Sequence, residues 1–559
     1  DESLRFQYTW SKGCNVWEKG QVTLLNDTFT SHYTTGTLTS GQRPKQYMRS
    51  IQWNGSNGIL LLDEYDLDKI DVDGNLTHFV DYNSGTEYPV YAYCDDGVYA
   101  YWITKIDDSG VIKTAMYKKL LTKTSADADT LMWKDNGVIV TNAVMEYTKE
   151  RIIACINNKI YEFATNATSI GTPVYTHPDT DVTFTSITSS GAAIYVSGFS
   201  GIQSNIYKFT LTTAGAMPTL TSAITAAEMP VGEVIYTIGY YLGYMAIGTN
   251  LGLRIAEVSN TDGSIAYGPL LFESEQPVYD LDFYDKYVWC TTNVDGNPGT
   301  TRIDLSTQIG SNLVFAYAWD LYDPSTTGRN TTACAFMGDT TQLSFCTAKV
   351  GGSNGSIYIQ EPSKLIAEAQ IRTGFVRYNT LENKIFKFLT PRFDSSNGGL
   401  TVYSIAPSEQ EFPIGTFSQG SNVTDFGIPY PNVPVQYLGF RFVMTRSAND
   451  DTKGPLFTGY QIKTLPSIPR QRLIQYPVMM YDYEMDKFNN QTGYEGYAYN
   501  RLQTMMEIEN LGDLIRVQDF RTGESYLGLI EEMDFINKTP TDKRFSGFGG
   551  VCLITIRTA

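Results

Sequence analysis

Histidine is nearly absent from this 559-residue chain: His32, His78 and His177 are its only copies, and they lie in separate segments. A mechanism that used imidazole as a base or as a metal ligand would depend on one of these three side chains. No HExxH motif and no cysteine–histidine pattern accompanies them. We therefore expect ordinary core or surface histidines, and the sequence assigns no catalytic, cofactor-binding or metal-binding residue.

Cysteine is scarce as well, and its seven copies form no CxxC pair and show no metal-ligand spacing. Most stand among apolar, strand-like residues, which predicts buried small hydrophobic side chains. The seven are Cys14, Cys94, Cys155, Cys290, Cys334, Cys346 and Cys552. This pattern favours reduced thiols and assembly in a cytosol rather than along a secretory route.

Long apolar runs and an excess of positive charge are also missing. No run approaches the roughly 20 apolar residues of a membrane-spanning helix, and the N-terminus shows no signal-peptide pattern. Lys and Arg number 42 against 60 Asp and Glu, which gives a formal net charge of −18. Such a surface repels the phosphates of nucleic acids and of anionic lipids. We therefore expect no nucleic-acid partner and no membrane insertion.

Aromatic and turn-forming residues are plentiful by contrast. Aromatics make up 13% of the chain, with 39 Tyr, and there are 48 Gly. Tyrosine favours half-buried pleated surfaces, and glycine supplies the positive φ angles of tight turns. The apolar content of 42% is sufficient for real hydrophobic cores. This composition predicts an all-β protein with many hairpins.

Between residues 46 and 362 short strands recur in groups of three or four, with a period of about 45 residues. The first group contains the apolar run Gly58–Leu62, a second strand at 67–72, the turn Asp73-Gly74 and a third strand at 76–80. One four-stranded sheet cannot bury both faces alone, but it does so between two neighbours in a ring. We predict a β-propeller of about seven blades at 46–362. The N-terminal β segment 1–45 would supply a strand to a later sheet.

The pattern changes after the repeats. Residues 363–369 resemble a short helical linker, and alternating strands separated by long Pro- and Gly-rich loops predict a β-sandwich or jelly-roll-like domain at 363–468. Residues 469–559 predict a small α+β domain. Its helix is expected at Tyr499–Leu511, with Leu502, Met505 and Met506 on one face and Gly512 as the stop.

Several motifs resemble parts of calcium, glycosidase or phosphate-binding sites, but each favours a structural role. Asp71-Val72-Asp73-Gly74-Asn75 has the alternating carboxylates of a calcium loop, but Asp-Gly in a hairpin needs no metal. A glycosidase needs two carboxylates that flank the scissile bond. The acidic pairs considered for it, each beside a turn or strand edge, are Asp95/Asp96, Asp107/Asp108 and Glu531/Glu532. Gly547–Gly550 leads into a strand and lacks the helix N-terminus of a phosphate-binding loop.

The C-terminal part of the chain carries a resemblance to a known family. The matching stretches are 454–466, 470–477, Gly496, Arg501-Leu502, 517–524, 547–551 and 554–558. Together they resemble the C-terminal region of minor tail proteins from siphophages of actinobacteria. The resemblance implies a virion protein at the tail tip or baseplate, assembled in the host cytoplasm in several copies, as a trimer or hexamer. It brings no catalytic residues.

The sequence therefore predicts a non-enzymatic structural protein of a phage tail tip that contributes to tip assembly and host attachment. Its expected partners are other tail-tip proteins and a host-envelope glycan or protein. The alternative is a virion-associated propeller that binds or cleaves a glycan of the host envelope.

Overall fold

The computed structural model describes residues 8–34, 38–39, 44–82, 88–191, 193–210, 224–259, 261–309, 313–352, 355–378, 380–429, 431, 433–467, 472–518 and 523–558. The chain forms two compact units, Asp1–Leu465 and Pro466–Ala559, here termed the large unit and the C-terminal unit. Strands dominate the described ranges and one α-helix occurs among them, so the prediction of a nearly all-β protein is confirmed. Within these ranges no helix is long and apolar enough to cross a membrane.

Four short strands open the large unit: β1 (Tyr8–Lys12), β2 (Cys14–Asn15), β3 (Thr23–Leu24) and β4 (Asn26–Thr34). β2 pairs with β3, whereas β1 and β4 each join a sheet formed much later in the chain. The turn between β1 and β2 needs Gly13, whose φ is +69°. A Cβ at this position would lie 3.3 Å from the carbonyl oxygen of Glu368.

Seven antiparallel groups of four strands follow in the described residues, and we number them sheet 1 to sheet 7; six are separate four-stranded sheets, and sheet 6 is part of a nine-stranded sheet. Sheet 1 contains β5 (Gln46–Trp53), β6 (Ser56–Asp63), β7 (Asp66–Asp71) and β8 (Leu76–Val80). Sheet 2 contains β9 (Ala92–Asp95), β10 (Tyr99–Asp108), β11 (Val111–Leu120) and β12 (Thr130–Asp135). Sheet 3 contains β13 (Ala143–Thr148), β14 (Arg151–Ile156), β15 (Lys159–Phe163) and β16 (Tyr175–Thr176). Sheet 4 contains β17 (Thr183–Ser189), β18 (Ala193–Ser200), β19 (Gln203–Thr210) and β20 (Ile224–Glu228).

The remaining three sheets of the series complete this pattern. Sheet 5 contains β21 (Ile235–Tyr241), β22 (Tyr244–Thr249), β23 (Gly252–Val258) and β24 (Ile265–Glu273). Sheet 6 contains β25 (Leu281–Tyr284), β26 (Tyr287–Val294), β27 (Asn297–Gln308) and β28 (Phe315–Tyr322). Sheet 7 contains β29 (Asn330–Phe336), β30 (Leu343–Ala348), β31 (Gly355–Leu365) and, as its fourth strand, the N-terminal β4.

Tight hairpins join the strands within the sheets. Asn54-Gly55 connects β5 to β6 with φ angles of 49° and 78°, and Asp295-Gly296 connects β26 to β27 with 53° and 77°. Two successive positive φ angles define the type I′ turn, whose twist matches that of the flanking strands. The Asn-Gly and Asp-Gly pairs therefore set the hairpin register locally.

Each sheet buries both faces against its neighbours. On β6, Ile59 and Leu61 pack towards sheet 7, whereas Leu60 and Leu62 pack towards sheet 2. Alternate residues of a strand point to opposite faces, so a continuous apolar run marks a strand buried on both sides. In the described residues a separate hydrophobic cluster lies between every pair of consecutive sheets, and another joins sheet 7 to sheet 1.

The series is continuous through the first strands of the sheets. These strands contact one another in the order β9, β13, β17, β21, β25 and β29, and β29 of sheet 7 contacts β5 of sheet 1. The predicted strand donation by the N-terminal segment is present: β4 runs antiparallel to β31, with Phe29 opposite Ile359 and Thr30 opposite Tyr358. Residues distant in sequence thus complete sheet 7.

Sheet 6 extends beyond its four strands. The rest of the large unit supplies seven more strands, four of which join this sheet: β32 (Glu368–Thr373), β33 (Lys384–Asp394), β34 (Gly398–Ile405), β35 (Glu411–Phe417), β36 (Phe426–Gly427), β37 (Gly439–Arg446) and β38 (Leu456–Pro466). The sheet continues from β28 through β1, β32, β37 and β34 to β35, while β36, β33 and β38 form a separate three-stranded sheet. One hydrophobic core joins the two sheets, with Phe386 and Phe457 against Phe440 and Phe442.

The predicted helical linker at 363–369 is wrong. These residues end β31 and begin β32, and the Ile366 N–H donates to the Leu25 carbonyl oxygen at 3.0 Å. Ile366 and Ala369 are buried in the core of the large unit. Extended backbone that pairs with the N-terminal segment satisfies these groups, so helix propensity does not decide the conformation.

The C-terminal unit contains β39 (Leu473–Met485), β40 (Gln491–Gly493), α1 (Tyr497–Leu511), β41 (Ile515–Gln518), β42 (Ser525–Asn537) and β43 (Phe545–Thr558). Its strands form one antiparallel sheet in the order β40-β39-β43-β42-β41. The helix prediction is confirmed, and Gly512 ends the helix with φ +66°. Leu502 and Met505 pack on the sheet, but Met506 is 47% exposed, so its predicted inward position is wrong.

Candidate functional site

The calcium-loop candidate is a closed turn. Asp71 Oδ1 accepts the backbone N–H groups of Asp73 at 3.0 Å and Asn75 at 2.8 Å, and the Asn75 side-chain amide donates to both carboxylate oxygens. Gly74 takes φ +83° in this turn. The turn's own N–H donors therefore hydrogen-bond to the Asp71 carboxylate, as they do in an Asx turn.

The acidic pairs also serve their local structure. Asp96 accepts the N–H groups of Val98 and Tyr99 and the Tyr101 hydroxyl at 2.8 Å. Hydrogen bonds from Lys113 and Lys134 lower the pKa of Asp108 to about 2. The remaining members lie in the same kind of setting: Asp107 caps the turn at Gly110, Glu531 pairs with Arg557, and Glu532 is exposed.

The three histidines lie apart and are held by neighbouring groups. His32 Nε2 lies 3.0 Å from the Gly74 carbonyl oxygen, and His78 Nδ1 lies 2.8 Å from Asp68 Oδ1. His177 accepts the Asp179 N–H at Nδ1 and contacts a tyrosine hydroxyl with Nε2. Across the described residues, no group of three or more His, Cys, Asp or Glu side chains is arranged to hold a metal ion.

The other two residue sets from the sequence are structural. All seven cysteines are buried thiols, as predicted, and burial raises the pKa of Cys14 and Cys290 above the ordinary value. The glycines of 547–550 permit close strand packing. A Cβ on Gly549 would lie 2.2 Å from the Met480 carbonyl oxygen, and one on Gly550 would lie 2.2 Å from that of Ile536.

An ion pair between Arg49 and Glu146 links sheet 1 to sheet 3. Arg49 on β5 reaches past sheet 2 to Glu146 on β13: Nη1 donates to Glu146 Oε1 at 3.2 Å, and Nη2 donates to Glu146 Oε2 and to the Met145 carbonyl. Asp95 on the intervening β9 is nearby, and burial raises its pKa while Arg49 opposes the rise. Arg49 therefore joins two non-adjacent sheets and balances acidic charge between them.

One end of the first strands is covered by Leu38. This residue is fully buried against Tyr236, Tyr279 and Ala348, which belong to or adjoin sheets 5, 6 and 7. The Leu38 carbonyl accepts the Gly351 N–H at 2.9 Å, which holds the segment in place. Leu38 therefore fills the space where these residues of three sheets meet.

A cleft that combines aromatic and polar walls lies where β1 joins sheet 6 to β32. It has a volume of about 580 Å³. Its lining combines aromatic rings, arginines, carboxylates and small polar groups: Thr9, Trp10, Asp295, Gln370, Arg372, Thr373, Gly374, Phe375, Glu409, Glu411 and Arg441. We term it the β1 cleft.

Sequence reasoning did not single out any residue of the β1 cleft. Its walls come from β1, the β26–β27 turn, β32 and the start of β35, which are separated by up to about 400 residues. The available signal was the high aromatic content, but sequence position alone does not separate Trp10 from the many core aromatics.

A second surface is the face of the C-terminal sheet opposite α1. Residues that alternate with the helix-facing ones point to this side. Met479 lies opposite Val551, which in turn lies opposite Ile536, and Leu473 and Leu529 flank Arg557. The exposed fractions are 63% for Leu473, 51% for Met479, 43% for Ile536 and 38% for Leu529. We term this surface the open face; its exposed Leu, Met and Ile side chains share the face with the charged residues Arg557 and Asp534.

Comparisons with known proteins give structural matches only. No protein-family model matches the chain, and no curated protein matches it. Similar solved structures include the Dos1 propeller (12% identity, TM-score 0.38, 63% of this chain and 93% of that one) and the WD40 propeller domain of Doa1 (10%, 0.37, 60% and 97%). Raptor of Chaetomium thermophilum matches with 14% identity and a TM-score of 0.37 over 60% of this chain and 30% of its own. At these values the likeness carries no argument about what the chain does.

Proposed function

We propose that this chain is a non-catalytic structural protein of a phage tail tip, in which the seven sheets are the blades of one closed β-propeller. The C-terminal unit would dock onto neighbouring tail-tip proteins, and the propeller with its sandwich-like extension would brace the tip and contribute to host attachment. The chain would be present in several copies, as a trimer or hexamer, and would be assembled in the host cytoplasm.

Support for the closed propeller comes from the packing. Every consecutive pair of sheets shares a hydrophobic cluster, and Met48 and Ile59 of sheet 1 pack with Ala333 and Ile357 of sheet 7. The donated strand β4 ties the N-terminal segment to the last blade. A ring joined by strands from both ends of the repeat resists opening, because separating sheets 1 and 7 would expose that shared core.

The open face is the observation that carries the docking role. A five-stranded sheet covered by one helix on a single side leaves its other side to solvent, and here that side carries exposed Leu, Met and Ile. Exposed apolar side chains bordered by polar and charged ones are typical of protein–protein interfaces. The strands that form it include residues 473–477, 547–551 and 554–558, which belong to the stretches that carry the resemblance to actinobacterial siphophage tail proteins.

Support for a non-catalytic role comes from the groups weighed for chemistry. Asp71 is saturated by its own turn, Asp108 is held by two lysines, and Leu38 fills one end of the ring. These side chains serve folding, so none of them is left free to act on a substrate.

The decisive experiment is to locate the chain in the particle. Virions purified from a phage that encodes it should contain its peptides by mass spectrometry, and a gold-labelled antibody against the large unit should decorate the tail tip. Purified infectious particles that lack the polypeptide would overturn the proposal. Labelling of the capsid alone would overturn it as well.

A further inference from the structure

The β1 cleft has the character of a ligand site rather than of a packing gap. Its volume of about 580 Å³ lies within the range of small-molecule sites, roughly 300–1,000 Å³. We propose that it binds an uncharged oligosaccharide segment, with Trp10 and Phe375 as the apolar platforms and Arg441 as the fixed polar anchor. This inference goes beyond the proposed function and does not depend on the chain's place in a virion.

The two aromatic rings are held rigidly from behind. Trp10 makes a T-shaped contact with Trp319 at 5.3 Å between ring centroids, and Phe375 makes one with Tyr437 at 4.8 Å. Phe375 remains 37% exposed, and Trp10 is partly exposed. Aromatic faces pack well against the apolar C–H faces of sugar rings, and a ring that is already fixed loses little entropy on binding.

Arg441 is fixed just as firmly. Its Nε donates to Glu411 Oε1 at 3.0 Å and its Nη2 to Glu411 Oε2 at 2.6 Å, while Nη1 donates to Gln370 Oε1 at 3.1 Å. The guanidinium also lies 4.2 Å from the centroid of the Tyr403 ring. The guanidinium group has more N–H donors than these contacts use, so the remaining ones are presented at a set position.

The mixture of groups in the cleft matches hydroxyl-rich ligands. Sugar hydroxyls both donate and accept hydrogen bonds, and the lining offers donors on Arg372 and Arg441 and acceptors on Asp295 and Glu409. The lining holds three carboxylates and two guanidinium groups, and Lys12 pairs with the third carboxylate, Asp295, at 3.4 Å. The charges therefore balance, and a phosphate or an acidic sugar gains no net attraction. The chemistry therefore selects a neutral glycan.

Cleavage of that glycan is not part of the proposal. Both oxygens of Glu411 accept hydrogen bonds from Arg441, so this carboxyl is engaged in holding the anchor. A glycosidase needs one carboxyl that is free to donate a proton to the leaving oxygen. The proposal concerns binding alone, with Asp295 and Glu409 as further hydrogen-bond acceptors in the lining.

The test uses the full chain and a panel of defined sugars. Isothermal titration calorimetry and tryptophan fluorescence would be recorded with maltohexaose, galactan, arabinan and mannan oligosaccharides, and with polygalacturonate as the anionic comparison. At least one neutral oligosaccharide should bind, and Trp10→Ala should weaken it about tenfold or more, which is the loss of one stacked ring. Phe375→Ser should weaken the same ligand, whereas Trp10→Phe should retain most of the affinity.

The matched control is Tyr33→Ala, which removes an aromatic that is 82% exposed on β4, away from the cleft. This variant should bind within about twofold of the parent protein. Circular dichroism and thermal unfolding would verify that each variant is folded. The proposal is overturned if no neutral oligosaccharide binds, if only polygalacturonate binds, or if Tyr33→Ala and Phe375→Ser weaken binding equally.

Discussion

Arg49 on the first strand of sheet 1 and Glu146 on the first strand of sheet 3 form an ion pair between two sheets that are not consecutive. Their side chains retain only 19% and 24% exposure. The Glu146 carboxylate raises the pKa of Arg49 above its ordinary value even though burial acts to lower it, so the charge on Arg49 persists. The pair is therefore a tie between two non-consecutive sheets, and the charge at each end depends on the other.

Removing one end of this tie should cost more than removing both. We expect Glu146→Gln to lower the free energy of unfolding by roughly 2–4 kcal/mol, because it leaves the Arg49 charge without its partner. Arg49→Met combined with Glu146→Met should recover at least half of that loss. Urea unfolding of the parent, both single variants and the double variant gives the coupling free energy. Strictly additive losses would contradict the tie.

The carboxyl group of the half-buried Asp282 on sheet 6 should make the stability of the protein depend on pH. Burial raises the pKa of Asp282 to about 6, although N–H groups of Phe336 and Phe283 donate to it and act in the opposite direction. In the unfolded chain the carboxyl titrates near its ordinary pKa of about 3.9. The folded state thus holds the proton more tightly, and ionisation costs stability. The free energy of unfolding should fall by up to about 3 kcal/mol as pH rises from about 4 to about 6.

Asp282→Asn isolates this contribution, since the amide stays neutral and its oxygen still accepts a backbone N–H. Unfolding by urea at pH 4, 5, 6 and 7 should show a smaller loss of stability with rising pH in the variant than in the parent. The exposed Asp339→Asn serves as the control and should reproduce the parent curve. A variant curve that falls as steeply as the parent's would rule out the assignment.

Replacing Leu38, which is buried although it lies between strands, should lower the stability of the protein strongly. Truncation to alanine in a fully buried setting should cost about 2–5 kcal/mol, because Tyr236, Tyr279 and Ala348 cannot close over the space. Leu381→Ala is the matched control at 77% exposure and should change stability by less than about 0.5 kcal/mol. Differential scanning calorimetry measures both. Equal shifts in Tm for the two variants would show that the packing of Leu38 between the sheets does not contribute to stability.

Much of the fold was predictable because its signals are local. The run Gly58–Leu62 is buried on both sides, as a strand between two sheets must be, and the Asp-Gly turns end the strands where expected. The donated strand β4 follows from the same logic, since one blade lacked its fourth strand. The helix was predicted at Tyr499–Leu511 from the spacing of its apolar residues and from Gly512, and it spans Tyr497–Leu511.

The rest depends on contacts between distant segments. Lys12 pairs with Trp319 and Tyr8 pairs with Thr373, so β1 lies between two strands, β28 and β32, that are more than 300 residues away in sequence. Such pairings form between segments that are far apart in the chain, at a cost in loop-closure entropy, and no local sequence pattern marks which segments will pair. The β1 cleft exists only because of this insertion. For the same reason the tie between Arg49 and Glu146 has no signature in the sequence.

The open face makes a prediction that separates folding from docking. Leu473→Glu combined with Met479→Glu places charge on a surface that is already solvent-exposed, so the isolated chain should keep its Tm within a few degrees. An interface loses affinity strongly when charge enters its apolar centre. In a phage that encodes the chain, the double variant should be depleted from purified virions by at least tenfold. The control is Leu511→Glu at 73% exposure, at the C-terminus of α1 on the other side of the sheet, and it should be incorporated normally. Equal incorporation of both variants would remove the open face as the docking surface, while loss of both would point to α1 as part of it.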